Sequence, residues 1–224
     1  MPSSFSRREA LILGLASFAG VAAAGEPSGT KDDPAPQPES RLIKLAELDK
    51  FAEDLDWLYD FSLTRKDGRA WVKLTNNVPF SLIAGDATGG AFLTYGKGEP
   101  ERLPILYASP YGQAGKLAAN LTELLAIFVS ISSIHDVLKF SGSGNLEVMR
   151  KSEARGKASA AEDADPDRTA AAQRMSLLLR IPKLKDPIET LHRNVTSTDV
   201  TCISEEGQKY DSLFGESTAP RNSR

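Results

Sequence analysis

The sequence predicts an α+β fold, with a single domain in which an antiparallel sheet of about four to six strands packs against helices. Two observations predict it. Between residues 69 and 108, short apolar runs alternate with polar residues and are separated by glycine, proline and asparagine, which is typical of strands. On both sides of this block, near residues 45–58 and 121–129, apolar residues recur at helical spacing. The 224 residues, 41% of them hydrophobic, supply enough apolar material for one core.

The first helix is predicted from an apolar stripe formed by Leu45, Leu48, Phe51, Leu55 and Leu58. Four strands are predicted to follow, separated by turns, in the segments RAWVKLTNNVPF, FSLIAG, AFLTYG and RLPILYAS. The next segment, YGQAGKLAA, is expected to lead directly into a helix.

Helix start signals mark the second half of the chain. Asn120 and Glu123 form a capping-box pattern before LTELLAIFVSI, which is apolar nearly all round and predicts a central buried helix. A polar, alanine-rich helix is expected at residues 145–164, and an amphipathic helix follows it. Asp186 and Pro187 predict the start of a short helix, and DVTCIS alternates like a strand.

The first 24 residues predict an export signal. Arg7 and Arg8 precede an apolar run whose small residues, including Ala22 and Ala24, suit cleavage by a signal peptidase. The arginine pair resembles a twin-arginine signal, so the protein is expected in the bacterial periplasm or secreted. An ordinary secretory signal and an uncleaved membrane anchor are the alternatives, and a membrane is expected as a partner only through this segment.

The remaining segments divide the chain by composition. Residues 25–40 are rich in proline, serine and aspartate and predict a disordered linker. Residues 216–224 predict a disordered tail. The folded domain is therefore expected at residues 41–215.

A glycine-rich turn, DATGG at residues 86–90, separates two predicted strands. A phosphate-binding loop would place a lysine and a hydroxyl residue after its last glycine and then continue as a helix. In a dinucleotide-binding fingerprint, the third glycine would likewise begin a helix. A strand-like segment follows Gly90 instead. The pattern predicts a hairpin in which Asp86 folds back onto backbone N–H groups and Gly89 and Gly90 supply positive φ.

The residue pattern predicts no catalytic site, metal site or cofactor. His135 and His192 lack cysteine or carboxylate neighbours at ligand spacing, and each is expected to be a partly buried polar residue. Cys202 is the one cysteine, and its place in a predicted strand indicates a buried thiol instead of a nucleophile.

The candidate binding residues are Asp86 and Thr88 of the turn and the tyrosines Tyr95 and Tyr111, since aromatic residues are enriched at interfaces. Packing into the core or against the sheet is the alternative for the two tyrosines. Trp71 is expected in the core. A formal net charge of -3 and short cationic runs argue against nucleic acid as the partner. A protein partner is expected instead.

Several segments resemble the SUKH superfamily, which includes fungal cell-wall-assembly regulators and bacterial toxin-immunity proteins. They are VPFSLIAGDATGGAFLTYG, LPILYASPYGQAGKLAANLTELLAIFV, DVLKFSGSGNLEVMR and DPIETLHRNVTSTDV…LFG. The shared pattern is a turn at residues 84–90 between strands, a strand at 105–108, and a segment at 115–125 that leads into a buried helix. The resemblance implies a non-catalytic α+β binding domain, often one that neutralises a toxin by covering its active site.

The leading hypothesis is an exported, non-catalytic protein-binding module, with immunity-like neutralisation as one form of its action. The alternative is an exported hydrolase-like enzyme that uses carboxylates near the 85–90 turn, with Asp86 as the candidate and Asp136 as a distant partner. A structural envelope component, which would show a broad apolar surface patch, is a third hypothesis. A second carboxylate within reach of Asp86 at a pocket would favour the enzyme, whereas hydrogen bonds from Asp86 to its own turn alone would not.

Overall fold

The computed structural model describes residues 48–65, 71–163 and 165–215. The predicted export signal (1–24), linker (25–40) and tail (216–224) lie outside these residues. The described chain forms helices and two sheets, which confirms the predicted α+β class. Among these helices, none has both the length and the apolar run that crossing a bilayer requires.

The elements follow the chain in the order helix, strands, helices, strands. The helices are α1 (Asp49–Tyr59), α2 (Leu121–Ser130), α3 (Ile134–Lys139), α4 (Leu146–Glu162), α5 (Pro166–Leu178) and α6 (Pro187–Thr196). The strands are β1 (Lys73–Leu74), β2 (Phe80–Gly85), β3 (Ala91–Tyr95), β4 (Ile105–Ala108), β5 (Gln113–Ala118), β6 (Cys202–Ile203) and β7 (Asp211–Ser212).

The larger sheet has five strands in the order β2-β3-β4-β5-β7. Strands β2, β3 and β4 pair antiparallel with their sequence neighbours, as predicted. The unpredicted β5 also pairs antiparallel with β4, whereas β7 lies parallel to β5. This one parallel pair differs from the predicted antiparallel sheet, because the chain reaches β7 through α6 and β6 and not through a hairpin. Strands β1 and β6 form a separate antiparallel pair.

Strand β5 replaces the predicted direct entry into a helix. Gly115 at its centre allows a close approach, since a Cβ there would lie 3.1 Å from the Leu213 side chain. The N–H of the next residue, Lys116, donates to Thr198 Oγ1 at 2.9 Å. The strand therefore owes its place to the C-terminal segment that packs on it, which no local pattern reveals.

Both faces of the large sheet are covered. Phe92 of β3 points to the helical side, where its ring centroid lies 5.0 Å from that of Phe61 and 4.9 Å from that of Tyr107. Leu93 and Tyr95 point the other way, into a second apolar cluster beneath the β1–β6 pair. All of β3 is consequently buried.

The predicted helix starts at α2 and α6 are confirmed. Asn120 Oδ1 accepts the Glu123 N–H at 2.9 Å, and Asp186 Oδ1 accepts the Glu189 N–H at 2.9 Å. Helix α2 is the buried helix that the sequence predicts, and its Leu124 is fully buried. It packs against β5 and α6, so it holds the helical layer on the sheet.

Cys202 is buried beneath the second face of the sheet, as predicted. Burial raises the pKa of its thiol to about 11, although backbone N–H groups of Lys73 and Ile203 partly oppose the rise. At pH 8 the thiol is therefore protonated as well as inaccessible. We expect no reaction of the native protein with Ellman's reagent within minutes at this pH, and one equivalent of reaction in denaturant. A rapid native reaction would contradict this burial.

Candidate functional site

The 86–90 turn joins β2 to β3 and is held by Asp86. Its N–H donates to the Gly90 carbonyl at 3.2 Å. Its Oδ1 accepts the Thr88 N–H at 2.9 Å, the Thr88 hydroxyl at 2.7 Å and the Gly90 N–H at 2.8 Å. Gly89 has a φ of 89°. The hairpin predicted from the sequence, with Asp86 folded back onto its own turn, is confirmed.

Gly90 is required for a different reason from the predicted one. It does not adopt a positive φ. A Cβ at this position would instead overlap the Tyr107 hydroxyl and the Asp86 carboxylate. Those two groups are joined by a buried hydrogen bond, in which Tyr107 Oη donates to Asp86 Oδ2 at 2.6 Å. Glycine therefore leaves the space in which β4 and the turn are linked.

The Asp86 carboxylate is charged although it is only 2% exposed. Burial raises its pKa, but hydrogen bonds from Tyr107, Thr88 and Gly90 together outweigh burial and hold the pKa below the usual 3.8. Burial, and then the hydrogen bond to Asp86, raise the pKa of Tyr107. At neutral pH the Tyr107 phenol therefore stays protonated and donates its hydrogen bond to an ionised Asp86 carboxylate.

Asp60 and His135, neither predicted as a site residue, also reach this turn. Asp60 caps α1 with a φ of 51°, and its Oδ1 accepts the Ala87 N–H at 2.8 Å. His135 lies in the first turn of α3, with its ring centroid 5.4 Å from that of Tyr107. One ligand atom each from Asp60, Asp86 and His135 lies within 4.8 Å of the other two.

This cluster corrects the expectation that His135 lacks carboxylate neighbours, because Asp60 and Asp86 lie beside it in the fold. The three residues come from the end of a helix, a hairpin and the start of another helix, so no local spacing could reveal them. The carboxylate beside Asp86 is that of Asp60, and not that of the expected Asp136, which is exposed on α3. Among the described residues, these three side chains form the group whose ligand atoms lie close enough together to hold a metal ion.

A groove of about 610 Å³ lies beside the turn. Thr88 is exposed at one side of it, and Tyr111, which is 78% exposed, stands in the turn between β4 and β5. Other elements line the rest of the groove: His135, Asp136, Leu138 and Lys139 of α3, and Leu213, Phe214 and Gly215 near the C-terminal end of the domain. The structure thus brings together Asp86, Thr88 and Tyr111 at one end of the sheet.

Tyr95, the fourth candidate binding residue, is not part of this surface. It lies at the opposite end of β3 and is 3% exposed. Its hydroxyl donates to Asp199 Oδ1 at 2.5 Å, and burial and this aspartate raise its pKa. Trp71 lies against the same cluster, stacked on Tyr210 at a centroid distance of 6.3 Å. Because the β1–β6 pair covers this face of the sheet, Tyr95 has a packing role.

A smaller pocket of about 230 Å³ lies on the other side of Tyr107 and His135, which line both hollows. Its walls are mostly aromatic and aliphatic, and its polar lining includes Asp60, Ser132 and Arg168. Asp86 does not line it. Tyr107, His135 and Leu138, which line both, therefore lie between the exposed groove and the smaller pocket, which reaches toward the core.

Comparison of the chain with models of known families, with curated proteins and with solved structures finds no match.

Proposed function

We propose that the protein is an exported, non-catalytic protein-binding module that docks its partner on the turn face, defined as residues 86–90, residues 109–112 and α3. The observation that most supports this proposal is the exposed side chain of Tyr111, which lines the groove together with Thr88 and α3. An aromatic side chain that is 78% exposed has little packing role in the domain itself. Tyrosine is among the residues that most often dominate binding energy at protein interfaces.

The backbone that carries Tyr111 is held before any partner arrives. Its N–H donates to Ser109 Oγ at 3.0 Å, and the Ser109 N–H donates to the Gln113 carbonyl at 2.8 Å. On the neighbouring hairpin, the Asp86 carboxylate fixes the 86–90 turn in the same way. A surface that is already ordered loses less conformational entropy on binding, which favours recognition by these two turns.

The location of the partner follows from the N-terminal residues alone. The twin-arginine-like signal at residues 1–24 is the reason to look for the partner in the bacterial periplasm or outside the cell. The resemblance to the SUKH superfamily favours the same class of function, in which a domain acts by covering part of another protein. An envelope protein is therefore the partner that we propose.

A photo-crosslinking experiment tests the proposal. A benzophenone-bearing phenylalanine analogue replaces either Tyr111 or Leu177, which is 77% exposed on α5, away from the groove-lining residues. Each form is irradiated with an envelope extract from cells that make the protein. We expect one discrete protein adduct from position 111 that is absent from position 177. No adduct at 111, or the same adduct at both positions, would contradict the proposal.

One observation favours the alternative, a hydrolase-like enzyme. Asp60 supplies a second carboxylate near Asp86, and it lines the smaller pocket together with His135. One of these groups would activate water as a general base. Against it stands the position of Asp86, whose carboxylate is buried and takes four hydrogen bonds from its turn and Tyr107.

The two functions predict different results with simple chromogenic phosphate and carboxylate esters. For the binding module we expect no hydrolysis above the buffer rate. Turnover that is lost in Asp60→Asn and kept in Asp163→Asn, which changes an exposed carboxylate at the end of α4, would establish the enzyme instead.

A further inference from the structure

We propose that Asp60, Asp86 and His135 form a binding site for a divalent transition-metal cation of the Zn²⁺ type. The observation is the convergence of one ligand atom from each residue to within 4.8 Å of the others. Two carboxylates and an imidazole are a donor set that zinc sites use, with three protein ligands and an open position. This site goes beyond the proposed function and needs no protein partner.

The two carboxylates are held by partners that leave ligand positions available. Asp86 Oδ1 accepts three hydrogen bonds, whereas Oδ2 accepts that of Tyr107 and retains a second lone pair. The hydrogen bonds described for Asp60 fall on Oδ1, from Ala87 and from Arg65 at 3.2 Å. Such outer partners orient metal ligands and fix their geometry.

The local charge also favours a cation. Two carboxylates within 4.8 Å of each other repel, and one of them is buried where water screens the repulsion poorly. Arg65 lies against Asp60 and Asp56, with its side chain 41% exposed, and Arg168 lines the smaller pocket with Asp60 and His135, so arginine compensates part of this charge. A divalent ion between Asp60 and Asp86 would compensate both carboxylates directly.

The third ligand decides which ions fit. Imidazole suits zinc and its transition-metal neighbours, whereas magnesium and calcium prefer oxygen ligands throughout. His135 is exposed, so its ring is reachable from solvent, and the pocket of about 230 Å³ that it lines leaves room for a water or another exchangeable ligand. We therefore expect Zn²⁺ to bind at least tenfold more tightly than Mg²⁺.

Calorimetry on the purified full chain, stripped with chelator and then dialysed, tests the site with ZnCl₂ and MgCl₂. We expect one Zn²⁺ per chain, and an increase in melting temperature with Zn²⁺ because the ion binds the folded state. His135→Asn should weaken Zn²⁺ binding by about 100-fold, since it removes one of three ligands, and Asp60→Asn should weaken it similarly. Asp136→Asn, which changes the exposed neighbour of His135, should bind Zn²⁺ like the wild type.

Three results would overturn the proposal. They are no saturable Zn²⁺ uptake at millimolar concentration, equal affinity for Zn²⁺ and Mg²⁺, and unchanged uptake in His135→Asn. Because His135 is exposed, its variant is expected to fold, and circular dichroism of the metal-free protein checks this. Arg65 is kept in all of these proteins, so that the ion competes with the native guanidinium group. Failure here would leave the partner-binding experiment at position 111 unaffected, and the two proposals stand or fall separately.

Discussion

Asp86→Ala is expected to lower the free energy of unfolding by about 3 kcal/mol. The substitution leaves the N–H groups of Thr88 and Gly90 and the hydroxyl of Tyr107 without their acceptor. The Gly90 N–H and the Tyr107 hydroxyl are in buried residues, and an unsatisfied buried donor bears its full desolvation cost. Urea unfolding in the presence of chelator measures the loss without any contribution from bound metal.

Matched variants separate this network from a general effect of losing a carboxylate. Asp163→Ala removes an exposed carboxylate at the end of α4 and should change stability by less than about 0.5 kcal/mol. Tyr107→Phe removes only the phenol donor to a charged acceptor and should cost about 1.5 to 3 kcal/mol. If Asp86→Ala were as stable as Asp163→Ala, the carboxylate would not be what holds the turn.

Tyr111→Ala is expected to weaken binding of the captured partner by about 2 kcal/mol, or roughly 30-fold in Kd. The side chain is 78% exposed, so its removal should leave the stability of the free domain nearly unchanged. The loss should therefore fall on the complex and mainly on its dissociation rate. Calorimetry or surface plasmon resonance with the purified partner measures it.

Leu177→Ala is the control for that experiment, because Leu177 is 77% exposed on a helix that does not line the groove. It should bind the partner like the wild type. Equal affinity of the wild type and Tyr111→Ala would contradict the proposal that Tyr111 anchors the partner, even if both forms still captured the same protein.

Local chemistry was enough to predict the elements that are decided by their own residues. The short apolar segments FSLIAG and AFLTYG predict β2 and β3, and the aspartate and glycines between them predict the hairpin. Asn120 and Asp186 mark their helices correctly because a cap acts within three residues of itself. The α+β class follows from the order of these elements.

The rest depends on contacts between distant parts of the chain. Gly115 and Lys116 weaken the apolar alternation of β5, and the strand is held by Leu213 and Thr198 from beyond α6. Tyr95 was expected at a contact surface because a strand's sequence does not show which face a second sheet covers. Asp60 and His135 went unpredicted for the same reason, since only the packing of α1 and α3 against the hairpin brings them to Asp86.

Hydrogen exchange of the chain, alone and saturated with its partner, tests the turn face most directly because it reports on every described segment at once. We predict that protection on binding concentrates at residues 86–90, 109–112 and α3 (Ile134–Lys139), with little change in α5 (Pro166–Leu178). Protection confined to α5, or spread elsewhere while the two turns exchange as in the free chain, would contradict the proposal that the protein acts through this face.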